Sequence, residues 1–298
     1  MTVGERLHGA AAELKRRGVP EAQANAEILL ARVLGVGRNE VFLRRGRELS
    51  PRESAAFSRL IRRRLRRIPM AHILGVQAFL DFELAAGPQA LIPRPETEEL
   101  AAAAMDALRQ RREEPLRLWD LGTGTGCLAV ALARFFPKAS VLATDKSPAA
   151  LGLARRNARA NGVGARVHLR RDDFFAPRRG PRAWADLAVS NPPYIPSGSM
   201  PRLMPEVLRE PRLALDGGKT GLDALAAVIE RAAEALRPAG VAALEFGRGQ
   251  ARRVSALLLR RGFERVRILK DAQGLQRIAL AAKSGANPAR CRPLRVAR

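Results

Sequence analysis

A chain of 298 residues, 47% hydrophobic and 28% charged, is long enough for one large domain plus a small one, and its composition excludes a disordered chain. Two distant cysteines, Cys127 and Cys291, and three scattered histidines, His8, His72 and His168, exclude a disulfide framework and argue against a metal site. The 53 basic against 29 acidic residues give a formal charge of +24, nearly all of it arginine, which either attracts polyanions and acidic proteins or simply covers solvated faces.

The N-terminal "MTVGERLHGAAAELKRRG" lacks the apolar core of a signal peptide, and no run of 18 apolar residues follows. A cytoplasmic protein without a membrane segment is expected. Residues 1–74 read as an all-helical domain. Pro20 stands at a first helical position, and Gly35 closes that run. Ser50, Pro51 and Glu53 form a capping-box pattern before a second helix. In that helix Leu60, Ile61, Leu65 and Ile68 fall at helical spacing. The five arginines between Arg62 and Arg67 are left for a solvated or docking face. Residues 75–93, with short alternating apolar stretches and a Gly-Pro signal, predict a β-hairpin linker.

Residues 94–283 alternate strand and helix patterns. Seven strand candidates, "LRLWDLG", "SVLATD", "ARVHLR", "ADLAVSN", "GVAALEFG", "FERVRILK" and "LQRIALAA", predict an α/β fold with a mostly parallel Rossmann-like sheet. The last two have a short connection, which implies a hairpin at one edge. The tail, residues 284–298, is Pro/Arg-rich and is expected to be disordered.

Three glycines at alternate positions in "WDLGTGTG" end the first strand: Gly122, Gly124 and Gly126, with Thr123 and Thr125 between them. Such a loop turns sharply and lets a ligand approach the backbone. Nineteen residues on, Asp145 ends the next strand, where a carboxylate can accept both hydroxyl hydrogens of a ribose. Asp120, just before the loop, would repel a pyrophosphate but suits a cationic amino group. That combination favours S-adenosylmethionine. Asp173 and Phe174, after the third strand, either hold the adenine or serve as a helix cap and a core aromatic.

The fourth strand runs into "SNPPYIP". Pro192 and Pro193 stiffen the loop and remove two N–H donors while keeping their carbonyls. A planar –NH2 group can donate to the Asn191 side-chain oxygen and the Pro192 carbonyl, with Tyr194 packed on its plane. Such a nitrogen is a poor nucleophile, so orientation is the main contribution open to the protein. Adenine N6 and a glutamine side-chain amide fit equally well.

Residues 72–100 ("HILGVQAFLDFELAAGPQALIPRPETEEL"), 210–225 ("EPRLALDGGKTGLDAL") and 244–250 ("LEFGRGQ") resemble the peptide chain release factor glutamine methyltransferases, the HemK family. The resemblance covers nearly all of residues 5–282, and "IPRPETE" is its most discriminating part. It implies cofactor contacts at Gly122 to Gly126, Asp145, Phe174 and Asn191, and substrate contacts along Asn191, Pro192, Pro193 and Tyr194. It also implies the acceptor: the glutamine of the Gly-Gly-Gln loop of class I release factors. A monomer with no nucleic-acid substrate is expected. The alternatives are an adenine methyltransferase and an enzyme modifying a ribosomal-protein glutamine. Lys219-Thr220 stands where the family leads one to expect an acidic residue, and Asp172 where it has a small one.

Overall fold

The first helix, α1 (Val3–Arg16), begins at a reciprocal cap: the Glu5 N–H donates to Thr2 Oγ1 at 3.2 Å, and the Thr2 N–H donates back to the Glu5 carboxylate at 2.8 Å. In the computed structural model the described residues are 1–176 and 182–284. They form two compact units: Met1–Val76 with Met204–Arg209, and Gln77–Leu203 with Glu210 onward. The tail expected from 284 lies, apart from Ser284, outside the described residues, as does Cys291.

In the first unit α1 packs with α2 (Ala22–Leu34), α3 (Glu40–Leu43), α4 (Pro51–Leu65) and α5 (Met70–Leu74). Leu7, Leu14, Leu29, Leu30, Phe57 and Ile61 form its core. The predicted capping box at Ser50 and Glu53 opens α4. Helix α2 starts two residues after Pro20, because Glu21 turns left-handed and Asn25 Nδ2 donates to the Pro20 and Glu21 carbonyls.

The arginine run differs from its expected solvated face. Arg64 is buried; it donates to Asn25 Oδ1 at 2.5 Å and pairs with Glu206 at 2.8 Å. Arg67 makes a two-pronged pair with the same carboxylate, both bonds at 2.7 Å. Arg63 donates to the His72 and Ile73 carbonyls. Arg62 and Arg66 alone among the five are exposed.

The second unit opens with the hairpin β1 (Val76–Phe79) and β2 (Phe82–Ala85), followed by α6 (Pro95–Ala107). Then come β3 (Arg117–Leu121), α7 (Cys127–Phe135), β4 (Ser140–Asp145), α8 (Pro148–Ala160), β5 (Val167–Arg171) and β6 (Ala185–Ser190). It closes with α9 (Asp223–Ala235), β7 (Leu236–Glu245), α10 (Ala251–Arg260), β8 (Phe263–Lys270) and β9 (Gln276–Lys283).

All seven predicted strands join one sheet in the order β5-β4-β3-β6-β7-β9-β8. The first five are parallel, while β9 runs antiparallel to both β7 and β8. Alternation in β3 sends Leu118 into the core with α6, α7 and hairpin residues Phe79 and Phe82, and Trp119 into the opposite core with α9 and α10. Strand order reverses between β3 and β6. The crevice at the carboxyl ends of those two strands is where open α/β sheets bind ligands.

Candidate active site

Loop Gly122–Gly126 leaves β3 at that crevice and is stitched to β4: the Gly122 and Thr123 N–H groups both donate to the Thr144 carbonyl at 2.9 Å. Gly126 has φ 84°, and a Cβ there would lie 3.1 Å from the Ala154 Cβ on α8. Only glycine fits that turn so near the helix. Asp145 ends β4 and accepts from the Gly124 N–H at 2.9 Å and the Ser147 N–H at 2.8 Å. Burial pushes its carboxyl up against the opposing pull of those N–H groups.

A cavity opens beside this loop, lined by Gly122, Thr123, Gly124, Thr125, Asp145, Asp173, Phe174, Asn191 and Pro193, with Thr97 from the start of α6. The sequence-derived candidates therefore converge, with Gly126, Asp120, Pro192 and Tyr194 absent from the lining. Asp173 pairs with Lys146 at 2.8 Å and accepts from the Phe175 N–H at 3.0 Å. Burial pushes Asp173 up, but these partners outweigh it and hold the carboxyl low. The unexpected Asp172 is clamped by buried Arg231 of α9 at 2.5 Å, which fixes the start of the Asp173–Phe174 turn. Cys127 also faces the cavity, but burial pushes its thiol up to about 12, so it stays a neutral thiol.

Burial corrects one expectation, and a second residue takes an unforeseen partner. Asp120 does not face the cavity: it points towards α7, fully buried, accepting from Thr123 Oγ1 at 2.5 Å and the Ala129 N–H at 3.1 Å. It shapes the loop from beneath. Its burial pushes the carboxyl up to about 7. Tyr194 turns inward against the α9–α10 core, and its hydroxyl donates to Glu245 Oε1 at 3.1 Å. Its ring is half-buried and packs, like that of Phe174, against that core. Burial and then the Glu245 carboxylate push its phenol up.

The Asn-Pro-Pro-Tyr loop is held from behind by residues 215–221. Ile195 N–H donates to Leu215 O at 3.0 Å, and Gly217 N–H donates to Ile195 O at 2.8 Å. Gln250 Nε2 bridges the Tyr194 and Gly221 carbonyls at 3.0 and 3.1 Å. A Cβ on Gly221 would sit 2.4 Å from the Tyr194 carbonyl oxygen, so the two chain segments approach this closely only over a glycine.

Sequence reasoning missed Thr97 and Glu245. Asn191 Nδ2 donates to Thr97 Oγ1 at 3.0 Å, and Thr97 Oγ1 donates to Glu245 Oε2 at 2.8 Å. Both lay within the "IPRPETE" and "LEFGRGQ" segments, but only the fold places residues 148 apart in contact. The outcome is an Asn191 Oδ1 that is buried and has no donor among the described residues. The Pro192 carbonyl accepts no hydrogen bond from the described residues either. Asn191 lines the cavity together with Asp145 and the glycine loop, and an unengaged amide oxygen on it suits a planar NH2 group beside a nucleoside.

Two family models match the chain: the PrmC N-terminal domain over residues 5–75, and the methyltransferase small domain over residues 103–218. The release factor glutamine methyltransferase of Moorella thermoacetica is 40% identical over 282 residues, covering 94% of this chain and 98% of that protein. Its counterpart in Rhodospirillum rubrum is 41% identical over 289 residues, covering 97% of this chain and 87% of that protein. Among solved structures, a methyltransferase from Pyrococcus furiosus superposes with a TM-score of 0.51 at 19% identity, covering 70% of this chain and 91% of that one. That last likeness concerns the fold alone.

Proposed function

Because the chain belongs to the release factor glutamine methyltransferase family, we propose that it methylates the side-chain amide nitrogen of the Gly-Gly-Gln glutamine in class I release factors, using S-adenosylmethionine. The observation that carries this reading is the Asn191 Oδ1, without a partner among the described residues, followed in the chain by the Pro192 carbonyl, which accepts no hydrogen bond from them either. An amide –NH2 has two hydrogens to give, and these are two acceptors on one rigid loop. Asp145, the glycine loop and Phe174 are the residues that would hold the cofactor. When bound, S-adenosylmethionine supplies an electrophilic methyl group on a positively charged sulfur.

The chain's own residues do the orienting. Asn191 and Pro192 would take both amide hydrogens in plane, which leaves the nitrogen's π electrons exposed on its face. Holding a delocalised amide in that attitude supplies much of the barrier reduction available without a strong base. No base is required, because an alkylated amide nitrogen becomes acidic and releases its extra proton to water. Cys127, kept as a thiol, offers no competing nucleophile. The helical unit, Met1–Val76 with Met204–Arg209, is the proposed docking surface for the folded protein substrate.

Incubation with labelled S-adenosylmethionine and a purified release factor, followed by peptide mass spectrometry, should place one methyl on the Gly-Gly-Gln glutamine. Asn191→Ala should lose most transfer while remaining folded. Methyl-adenine formed in DNA or RNA beside an unmodified release factor would overturn the amide assignment.

A further inference from the structure

Glu245 touches neither cavity nor loop backbone, yet its carboxylate sits at the head of the chain of bonds that ends at Asn191. An ionised carboxylate can only accept. Its oxygens take the hydroxyl hydrogens of Thr97, at 2.8 Å, and Tyr194, at 3.1 Å. Thr97 has one hydrogen and has committed it, so its lone pair must receive the Asn191 amide through Nδ2. The end of the amide left uncommitted is therefore the oxygen, which has no partner among the described residues, on a residue that lines the cavity.

Resting on the amide-acceptor reading above, we infer that Glu245 is a positioning residue: acting through Thr97, it decides which end of the Asn191 amide faces the acceptor nitrogen. A protonated Glu245 has a hydrogen of its own to donate. The Thr97 hydroxyl is then free to turn and donate towards Asn191, and the amide must swap ends to receive it. Nδ2 would then meet the acceptor's N–H groups, donor against donor. The ionised relay makes the site a receiver of –NH2 groups, and the protonated relay makes it reject them.

Glu245 is buried among several charged or titratable groups. Burial pushes its carboxyl up to about 7; the Thr97 and Tyr194 hydroxyls pull down, Glu96 of α6 pushes up, and Arg277 of β9 pulls down. Cys127 of α7 also lies within its field but remains neutral. The relay thus changes state within the range of ordinary cellular pH, and the site gains competence as pH rises through it.

The relay can be read without any substrate. In 15N-labelled protein, the Asn191 side-chain NH2 signals, identified by their loss in Asn191→Asp, should shift between about pH 5.5 and 8.5 with a midpoint near the Glu245 transition. That midpoint should vanish in Glu245→Gln, which separates it from Asp120, whose carboxyl changes state in the same range. It should vanish in Thr97→Val as well, with Thr97→Ala as the alternative if the valine variant does not fold. In methyl transfer to a release factor, Thr97→Val and Glu245→Gln should lower kcat on the order of 100-fold with little change in cofactor Kd. Thr97→Ser should restore most of the loss. The acid limb of kcat in the parent protein should be missing from Glu245→Gln. An Asn191 signal indifferent to pH, or a Thr97→Val variant turning over within about threefold of the parent, would overturn the inference. A parent that shows the Asn191 midpoint but leaves release factors unmethylated would sink the substrate reading and leave the relay standing.

Discussion

Asp145 uses its two oxygens to fix backbone at Gly124 and Ser147 and also lines the cavity. Removing it should therefore cost both the proposed ribose acceptor and the loop's anchor. Asp145→Ala is expected to weaken S-adenosylmethionine binding by about 1.5–3 kcal/mol, the range for a charged hydrogen-bond partner. Unchanged affinity in calorimetry would take Asp145 out of the site. Asp120 predicts something different, a stability that depends on pH. Its folded carboxyl is raised to about 7 from an ordinary 3.8, so the native state holds a proton that the unfolded chain has released. Stability should fall as pH rises through that window, on the order of 1 kcal/mol per pH unit, and Asp120→Asn should flatten part of the slope. Denaturant midpoints across the window test it; equal slopes in both proteins would remove Asp120 as the source. The glycine loop and Asp145 were legible because strand, turn and spacing are local. The direction of Asp120 was not, since it depends on the pleat that puts it with Leu118 towards α7. Nor was the inward turn of Tyr194, whose partner lies 51 residues away.

Among elements, α4 shows where local pattern stops being informative. Helical spacing identified its apolar stripe, and the cap signature marked its start. The same spacing left the arginines to solvent, because the carboxylate that buries Arg64 and Arg67 comes from Glu206, 139 residues beyond Arg67. Burial pushes Glu206 up, but the two guanidinium groups outweigh it and hold its carboxyl low. A depressed carboxyl contributes stability above its ordinary range and loses it as pH falls through the folded value. Glu206→Ala leaves Arg64 buried without its charge partner and should destabilise the helical unit by about 3 kcal/mol, read as a lower melting temperature. A variant melting with the parent would show the pair to be energetically idle. The sheet was read more fully: each strand pattern was self-contained. What the pattern alone left undetermined was the insertion of β9 between β7 and β8, a matter of pairing rather than of propensity.

For the whole molecule, the formal charge of +24 and the separate helical unit bear on how a protein substrate would be selected. A glutamine on a short peptide offers the same amide as one on a folded release factor, but none of the remote contacts that hold it in place. The peptide should therefore be poorer by at least about 100-fold in kcat/KM, because remote binding energy is what positions the reacting group. Raising salt should weaken transfer to the folded substrate more than transfer to the peptide. Initial rates on both substrates at two ionic strengths check this, and equal rates would place all recognition at the cavity.

The membership of Met204–Arg209 in the helical unit has a practical side for anyone recombining such enzymes. Residues 1–76 form an unbroken stretch of sequence, and they invite excision or grafting onto another catalytic module. Cut there, the transplant arrives without the hexapeptide that carries Glu206, and Arg64 is left buried without its charge partner. A chimera must bring both stretches from the same parent, or replace Arg64 with an apolar side chain in the same step.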